Sequence, residues 1–293
     1  MDIKLFIPPI IGAILKRIKI QFIRKYRIGK YFIDISPAMP LPNNQKKYKL
    51  YDRFLPVLAS QLPANGIIID VGANIGDTAI AMLDYCQNPI YCVEPSAYFF
   101  KFLEKNVQKL PYTMQQRIKM IQKLAGTGKI SGELEHLKGT ASIKIIENEG
   151  EATHSPLDSL VDVADVILLK VDTDGFDFDV IKSAEKILTS SEPILFWENE
   201  ISEDFQYKGF EELYVLLKEK NYKYIYVFDN FGNLLLEECN FETLNSINAY
   251  LYSMKTHNCT RTFHYTDILA ATEKNVSIVR NAIEVYKNEW IKK

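Results

Sequence analysis

The chain has 293 residues, of which 47% are hydrophobic and 25% charged, an ordinary globular composition with enough apolar side chains for one large core. A net charge of −2 and an isoelectric point near 6.2 give the molecule as a whole no electrostatic hold on a nucleic-acid backbone, so nucleic acid is not expected among its partners. Cys86, Cys92, Cys239 and Cys259 lack the short paired spacing of a zinc ribbon or a disulfide framework, which fits a reducing, cytoplasmic setting.

Charge is unevenly spread. Residues 1–30 hold eight Lys and Arg against Asp2 alone, a net of +7 that leaves −9 for the remainder. The apolar run Leu5 to Leu15 is about half the roughly 20 residues that span a bilayer, and the basic cluster follows it, the reverse of a secretory signal. Ile10, Ile14, Ile18, Phe22 and Ile23 among Lys and Arg have the pattern of a helix that either lies on an anionic membrane surface or docks on the protein's own body. Pro37, Pro40, Pro42 and the polar run Asn43 to Lys47 predict an irregular linker over 31–50. The chain thus divides into a basic N-terminal extension and linker, 1–47, and one domain, 48–293.

In that domain the pattern alternates. A helix at about 50–62 precedes the β-branched run Ile67-Ile68-Ile69; a helix from Asp77, a strand Ile90 to Val93, a helix at about 96–109 and a strand Ile118 to Ile121 follow. After a less regular stretch, about 125–160, with Ala141 to Ile146 strand-like, come the buried-strand run Val166 to Leu169, helical spacing from Phe176 to Leu188 and a strand Pro193 to Trp197. A helix at 208–220 and strands Tyr222 to Phe228 and Leu234 to Glu237, across the turn Asp229 to Asn233, complete seven strands. The last sixty residues read as helices and loops. Such alternation predicts an α/β fold with a doubly wound, mostly parallel, seven-stranded Rossmann-like sheet, whose ligands bind at the carboxyl ends of the strands.

Residues 69–78, Ile-Asp-Val-Gly-Ala-Asn-Ile-Gly-Asp-Thr, lie where a buried strand hands over to a helix. Gly72 and Gly76 permit a tight turn and close approach of a ligand, and the helix N-terminus offers free N–H donors. Asp70 would set a carboxylate beside this loop, suited to an ammonium group and hostile to a pyrophosphate. Glu94, closing the second strand, can accept hydrogen bonds from both hydroxyls of a ribose. S-adenosyl-L-methionine has the ammonium and the ribose and lacks phosphate, so it fits.

These residues resemble the FkbM-type methyltransferases, a class I S-adenosylmethionine-dependent family. Asp70-Val71-Gly72-Ala73-Asn74-Ile75-Gly76-Asp77-Thr78 is similar to the family's first motif and Val93-Glu94-Pro95-Ser96 to its ribose-binding strand end. Pro156-Leu157-Asp158-Ser159-Leu160 and Leu169 to Asp177 resemble the segments before and after its fourth strand, and Tyr265 to Ala270 is a weaker echo. The resemblance implies methyl transfer to oxygen, often on sugars of surface polysaccharides or other glycosylated products; Pro40-Leu41-Pro42 and Tyr51 to Pro56 resemble the lead-in of sugar-acting members. It implies cofactor contacts at Asp70, Gly72, Ala73, Asn74, Gly76, Asp77, Thr78, Glu94, Pro95 and Ser96. Many relatives carry Glu where Asp174 stands, and no carboxylate in Gln122 to Gly126 suits the adenine amine.

Methyl transfer asks the protein to align an acceptor hydroxyl and remove its proton. Acids at neighbouring strand ends suit that work, which nominates Asp174 and Glu198 as acceptor-binding or general-base residues and Asp172 as bordering cofactor and acceptor. Asp177 and Asp179 are expected to complement a helix dipole, and His136, His154, His257 and His264 to be solvated. Phe176, Phe196, Trp197, Tyr224, Tyr226 and Phe228 are expected in the core. Two rivals remain at this point. Asp172-Thr173-Asp174 is also the Asp-x-Asp pair of a metal-dependent glycosyltransferase, which would require a divalent metal ion, and the +7 segment also suits a nonenzymatic membrane-associated scaffold.

Overall fold

The computed structural model describes residues 23–128, 132–137, 140–145, 154–161 and 165–292. The apolar run Leu5 to Leu15 and the basic residues up to Phe22 lie outside the described residues. The described chain opens on an antiparallel hairpin of β1 (Arg24–Ile28) and β2 (Tyr31–Ile35), followed by the helices α1 (Leu41–Lys47) and α2 (Phe54–Gln61). The irregular linker expected over 31–50 is therefore corrected to a strand and a helix. The prolines do not break them: Pro40 is the N-cap of α1 and Pro42 falls in its first turn, where a missing N–H removes no helical hydrogen bond.

The core then runs β3 (Ile67–Val71), α3 (Asp77–Leu83), β4 (Ile90–Val93), α4 (Ala97–Gln108), α5 (Tyr112–Gln115) and β5 (Ile118–Ile121). A two-stranded hairpin, β6 (Gly132–Leu137) and β7 (Thr140–Ile145), stands apart from the main sheet. The second half is α6 (Leu157–Leu160), β8 (Val166–Val171), α7 (Asp177–Lys182), α8 (Glu185–Ser190), β9 (Ile194–Asn199) and α9 (Asp204–Glu219). It ends with β10 (Tyr224–Asp229), β11 (Leu234–Cys239), α10 (Phe241–Thr256), β12 (Thr266–Ala271), α11 (Val276–Tyr286) and a π-helical turn, Lys287–Ile291.

The main sheet has the order β11-β10-β12-β9-β8-β3-β4-β5. Strands β9, β8, β3, β4 and β5 are parallel, while β12 is inserted antiparallel between β9 and β10 and β11 pairs antiparallel at the edge. The doubly wound α/β reading holds, but the strand count is eight where seven were expected. The additional strand is β12, in the stretch read as helices and loops. Its Ile268-Leu269-Ala270-Ala271 is fully buried, and a buried strand this short and alanine-rich is stabilised by its two neighbours more than by its own propensity.

Alternation along the central strands explains the two layers of core. Ile68, Leu168 and Ile194 face a cluster with α2, α3, α4 and α11, whereas Ile69, Leu169 and Leu195 face a second with α7, α8, α9 and α10. Both faces are covered, which is why β3 and β8 read as near-continuous apolar runs. The extension packs on this body: Ile33 and Ile35 are fully buried, and Asn106 on α4 accepts from Asp34 N (2.7 Å) and donates to Asp34 O (3.0 Å). Between α1 and α2 the chain crosses the carboxyl end of the sheet, where Tyr48 stacks on Phe231 with ring centroids 3.9 Å apart.

Candidate active site

From β3 the chain adds β4 and β5 on one side of the sheet and β8 and β9 on the other, so the order reverses between β3 and β8. A crevice opens outside the carboxyl ends at such a point. Here the loop from Gly72 to Gly76 leaves β3 with φ of 73° at Gly72, 48° at Asn74 and 84° at Gly76, a left-handed path that glycine takes without strain. Gly72 is required for a second reason: a Cβ there would stand 1.8 Å from the Asp172 carbonyl oxygen.

Under this loop lies a charge pair that sequence reasoning missed. Lys170, 3% exposed, reaches Asp70, 0% exposed, at 2.8 Å and Asp172 at 3.4 Å, and donates to Gly72 O at 3.4 Å. Burial disfavours the Lys170 ammonium, but the two carboxylates outweigh it and hold its pKa well above the ordinary range. The signal was a lysine inside the apolar run Val166 to Val171, since lysine is almost never buried without a partner. Asp70, expected beside the loop with its carboxylate toward a ligand, instead stands beneath it.

Glu94 caps β4 and enters the crevice. One carboxylate oxygen accepts from Asn74 N at 2.9 Å and the other from Ser96 N at 2.8 Å, so it fixes the glycine loop and the start of α4 together. Each oxygen keeps a lone pair for a ligand hydroxyl. Burial raises the Glu94 pKa to about 7 despite these two donors.

The crevice has a volume of about 380 Å³. Of the residues nominated for the cofactor, Gly72, Asn74, Asp77, Thr78, Glu94 and Pro95 line it, while Asp70, Ala73, Gly76 and Ser96 stand behind the lining. Asp172, Asp174 and Glu198 line it too, with Glu200 beside them. Missed in the sequence were Lys123, Leu124 and Ala125 after β5, Met39, Pro40, Leu41 and Asn44 from the extension, and Tyr51 and Asp52 just beyond it. Pro40-Leu41, Tyr51-Asp52 and Tyr265, another lining residue, did fall within segments noted for their resemblance.

Positions around the acceptor end are set by hydrogen bonds. Asp177, expected only to complement a helix dipole, is fully buried and accepts from Thr173 N (3.2 Å), Thr173 Oγ1 (2.9 Å) and Glu198 N (3.1 Å), tying the end of β8 to β9. Asp174 follows with φ of 52°, in the left-handed region that aspartate adopts more readily than most residues. Asp179 accepts from Thr127 N at 2.8 Å and from the Thr127 hydroxyl, anchoring the segment after β5. The His154 ring nitrogens are buried, not solvated; burial lowers the His154 pKa against the opposing charge of Asp179. His257 and His264 are exposed, and the side chain of His136 lies outside the described residues. The six nominated aromatics are buried or half-buried, and Phe176 also lines the crevice.

The family model of the methyltransferase FkbM domain matches residues 70–224. The chain belongs to the FkbM methyltransferase family. It is an S-adenosylmethionine-dependent methyltransferase by that membership, and the strand ends just described fall inside the matched segment. Among curated proteins, none matches the chain in sequence. Among solved structures, an O-methyltransferase from Bacillus cereus in complex with SAH is similar at 13% identity and a TM-score of 0.44, covering 80% of this chain and 88% of that one. Methyltransferase FkbM from Methylobacillus flagellatus KT is similar at 14% identity and a TM-score of 0.38, covering 64% of this chain and 54% of that one.

S-adenosylmethionine fits the residues present. A buried carboxylate with spare acceptor capacity stands at the end of β4, a backbone cradle that no Cβ could share closes β3, and acids line the crevice, which suits a ligand that carries a sulfonium and an ammonium. Among the described residues no cluster of three or more His, Cys, Asp or Glu side chains is placed to hold a metal ion. The glycosyltransferase reading of Asp172-Thr173-Asp174 gives no role to Glu94 or to Gly72, which the family accounts for.

Proposed function

We propose that the protein transfers the methyl group to oxygen, on a sugar hydroxyl of a glycan or glycosylated metabolite, as a step in polysaccharide biosynthesis. The observation that carries this reading is that Glu94, Asp172, Asp174 and Glu198 line one crevice. Donor and acceptor acids are thereby brought together from the ends of three strands. Glu94 would hold the ribose hydroxyls, and Gly72, Asn74, Asp77, Thr78 and Pro95 would border the rest of the donor, with Asp70, Ala73, Gly76 and Ser96 shaping the loops behind them. When bound, S-adenosylmethionine supplies a methyl group on an electron-poor sulfonium. The chain's own part is alignment and proton removal: Asp174 and Glu198 bind and orient the acceptor, one of them in its ionised form accepts the hydroxyl proton, and Asp172 borders both ligands. Calorimetric titration with S-adenosylhomocysteine tests the donor site. Micromolar binding, weakened at least tenfold by Glu94→Ala, is expected; binding that Glu94→Ala leaves unchanged would remove Glu94 from the site.

The place of work is proposed to be the cytoplasm, with peripheral contact to the inner face of an anionic membrane through residues 1–30. All four cysteines are free, which suits a reducing compartment. No helix among the described residues is long and apolar enough to cross a membrane. The outward face of the β1–β2 hairpin presents Lys25 and Arg27 with Phe32, which is 61% exposed, and residues 1–22 add Lys4, Lys16, Arg17 and Lys19. Basic residues around an exposed aromatic suit an anionic lipid surface. Co-sedimentation with phosphatidylserine vesicles, lost without residues 1–22 and absent with phosphatidylcholine alone, is the expected result. Equal binding to both vesicle types would overturn the contact.

A further inference from the structure

Beside the main crevice, and sharing Tyr51, Asp52, Asp172, Glu198 and Tyr265 with it, lies a smaller pocket of about 80 Å³. Its construction is read from the sheet register. Glu198 on β9 stands directly opposite Asp267 on β12, and Asp267 stands directly opposite Phe228 on β10, so an acid, an acid and an aromatic ring form one row across three strands. Phe196, two residues before Glu198, shares that face, and Phe54 of α2 packs over it with ring centroids 4.6 Å from Phe228 and 6.0 Å from Phe196. The result is an aromatic floor under an acidic rim.

Like charges directly opposite each other in a sheet are unfavourable, yet here the chain supplies no counter-charge. Neither Glu198, 9% exposed, nor the half-buried Asp267 has a lysine or arginine at ion-pair distance, and neither carboxylate accepts a hydrogen bond among the described residues. Lys170 borders the pocket but is engaged by Asp70 and Asp172. Arg53, the other cation on its wall, lies over the ring of Trp290 at 5.5 Å. An ammonium group meets all three features at once: it donates to both carboxylates, neutralises their repulsion, and gains from aromatic faces. A neutral polyol would satisfy lone pairs but offer no charge to offset two ionised carboxylates.

We propose that the acceptor is cationic: an amine-bearing sugar or amino alcohol whose ammonium group enters the pocket between Glu198 and Asp267, leaving a neighbouring hydroxyl in the main crevice beside Asp174. This rests on the methyltransferase reading above and adds the charge of the acceptor to it. Asp267, which sequence reasoning did not nominate, becomes a specificity-determining residue.

The test is a binding experiment on the 293-residue chain saturated with S-adenosylhomocysteine, whose own binding, measured first, reports on the donor site separately. Three probes that differ at one carbon are then titrated: D-glucosamine, N-acetyl-D-glucosamine and D-glucose. Glucosamine should bind at least tenfold more tightly than either neutral sugar. That preference should vanish in Asp267→Asn and in Glu198→Gln, with affinity for S-adenosylhomocysteine kept. Equal binding of the three sugars, no binding of glucosamine at millimolar concentration to the loaded protein, or a preference that survives both substitutions would overturn the proposal. Failure of S-adenosylhomocysteine to bind would instead strike at the donor reading beneath it.

Discussion

Two cross-strand pairs stand at the carboxyl ends of the same sheet and are built oppositely. Asp70 and Lys170 face each other across β3 and β8 as acid and base, whereas Glu198 and Asp267 face each other across β9 and β12 as acid and acid. Asp70, Lys170 and Glu198 are buried and Asp267 is half-buried, so an uncompensated charge in either pair is costly. The chain completes the first pair itself and leaves the second incomplete. The first is therefore a structural keystone that holds the glycine loop against β8, and the second has no counter-charge from the chain, so that a retained proton or a cation from outside relieves it.

The comparison is broken most severely by removing the base from the complete pair. Lys170→Met strands Asp70 as a lone buried carboxylate and should lower stability by about 3–5 kcal/mol, read by urea unfolding. The double variant Asp70→Leu/Lys170→Met should recover most of that loss, because replacing a whole buried pair by apolar side chains is often neutral. A single variant that loses less than about 1 kcal/mol would show that Asp70 is stabilised by something other than Lys170.

The contrast between the pairs also marks what the sequence could reveal. Local signals were legible: the handover from Ile67-Ile68-Ile69 to the glycine loop, the strand end at Glu94, and the acids closing the fourth and fifth strands were all read from residues close together in the chain. What escaped depended on register between distant segments. The partner of Asp70 lies a hundred positions on, in Lys170, and the partner of Glu198 lies on β12, whose short Ile-Leu-Ala-Ala run has no strand signature of its own. The extension escaped for a related reason. Its prolines and polar residues read as a linker because nothing local says that Met39, Leu41 and Asn44 come to rest across the crevice. Likewise Asp177 read as a helix-dipole residue because two of its donors, on Thr173, are local, but the third is the Glu198 amide of the next strand.

A smaller effect, of opposite sign, should come from the incomplete pair. Burial first, and then the charges of Asp172, Asp177, Asp174 and Asp267, raise the pKa of Glu198 well above that of a free glutamate. Without a cationic ligand the folded protein relieves the facing acids by keeping a proton on Glu198 at pH values where the unfolded chain has released it, a proton that a bound ammonium would displace. A group with a raised folded pKa contributes its stability below the unfolded pKa and loses it as pH rises, at a limiting slope of about 1.4 kcal/mol per pH unit. Glu198→Gln removes this titration while keeping the shape of the neutral acid. The variant and the parent should thus be nearly equal in urea unfolding near pH 4, and the variant should become the more stable of the two as the pH rises toward 7. A variant less stable than the parent at both pH values would mean that Glu198 already has a compensating partner inside the fold, and the distinction between the two pairs would fall with it.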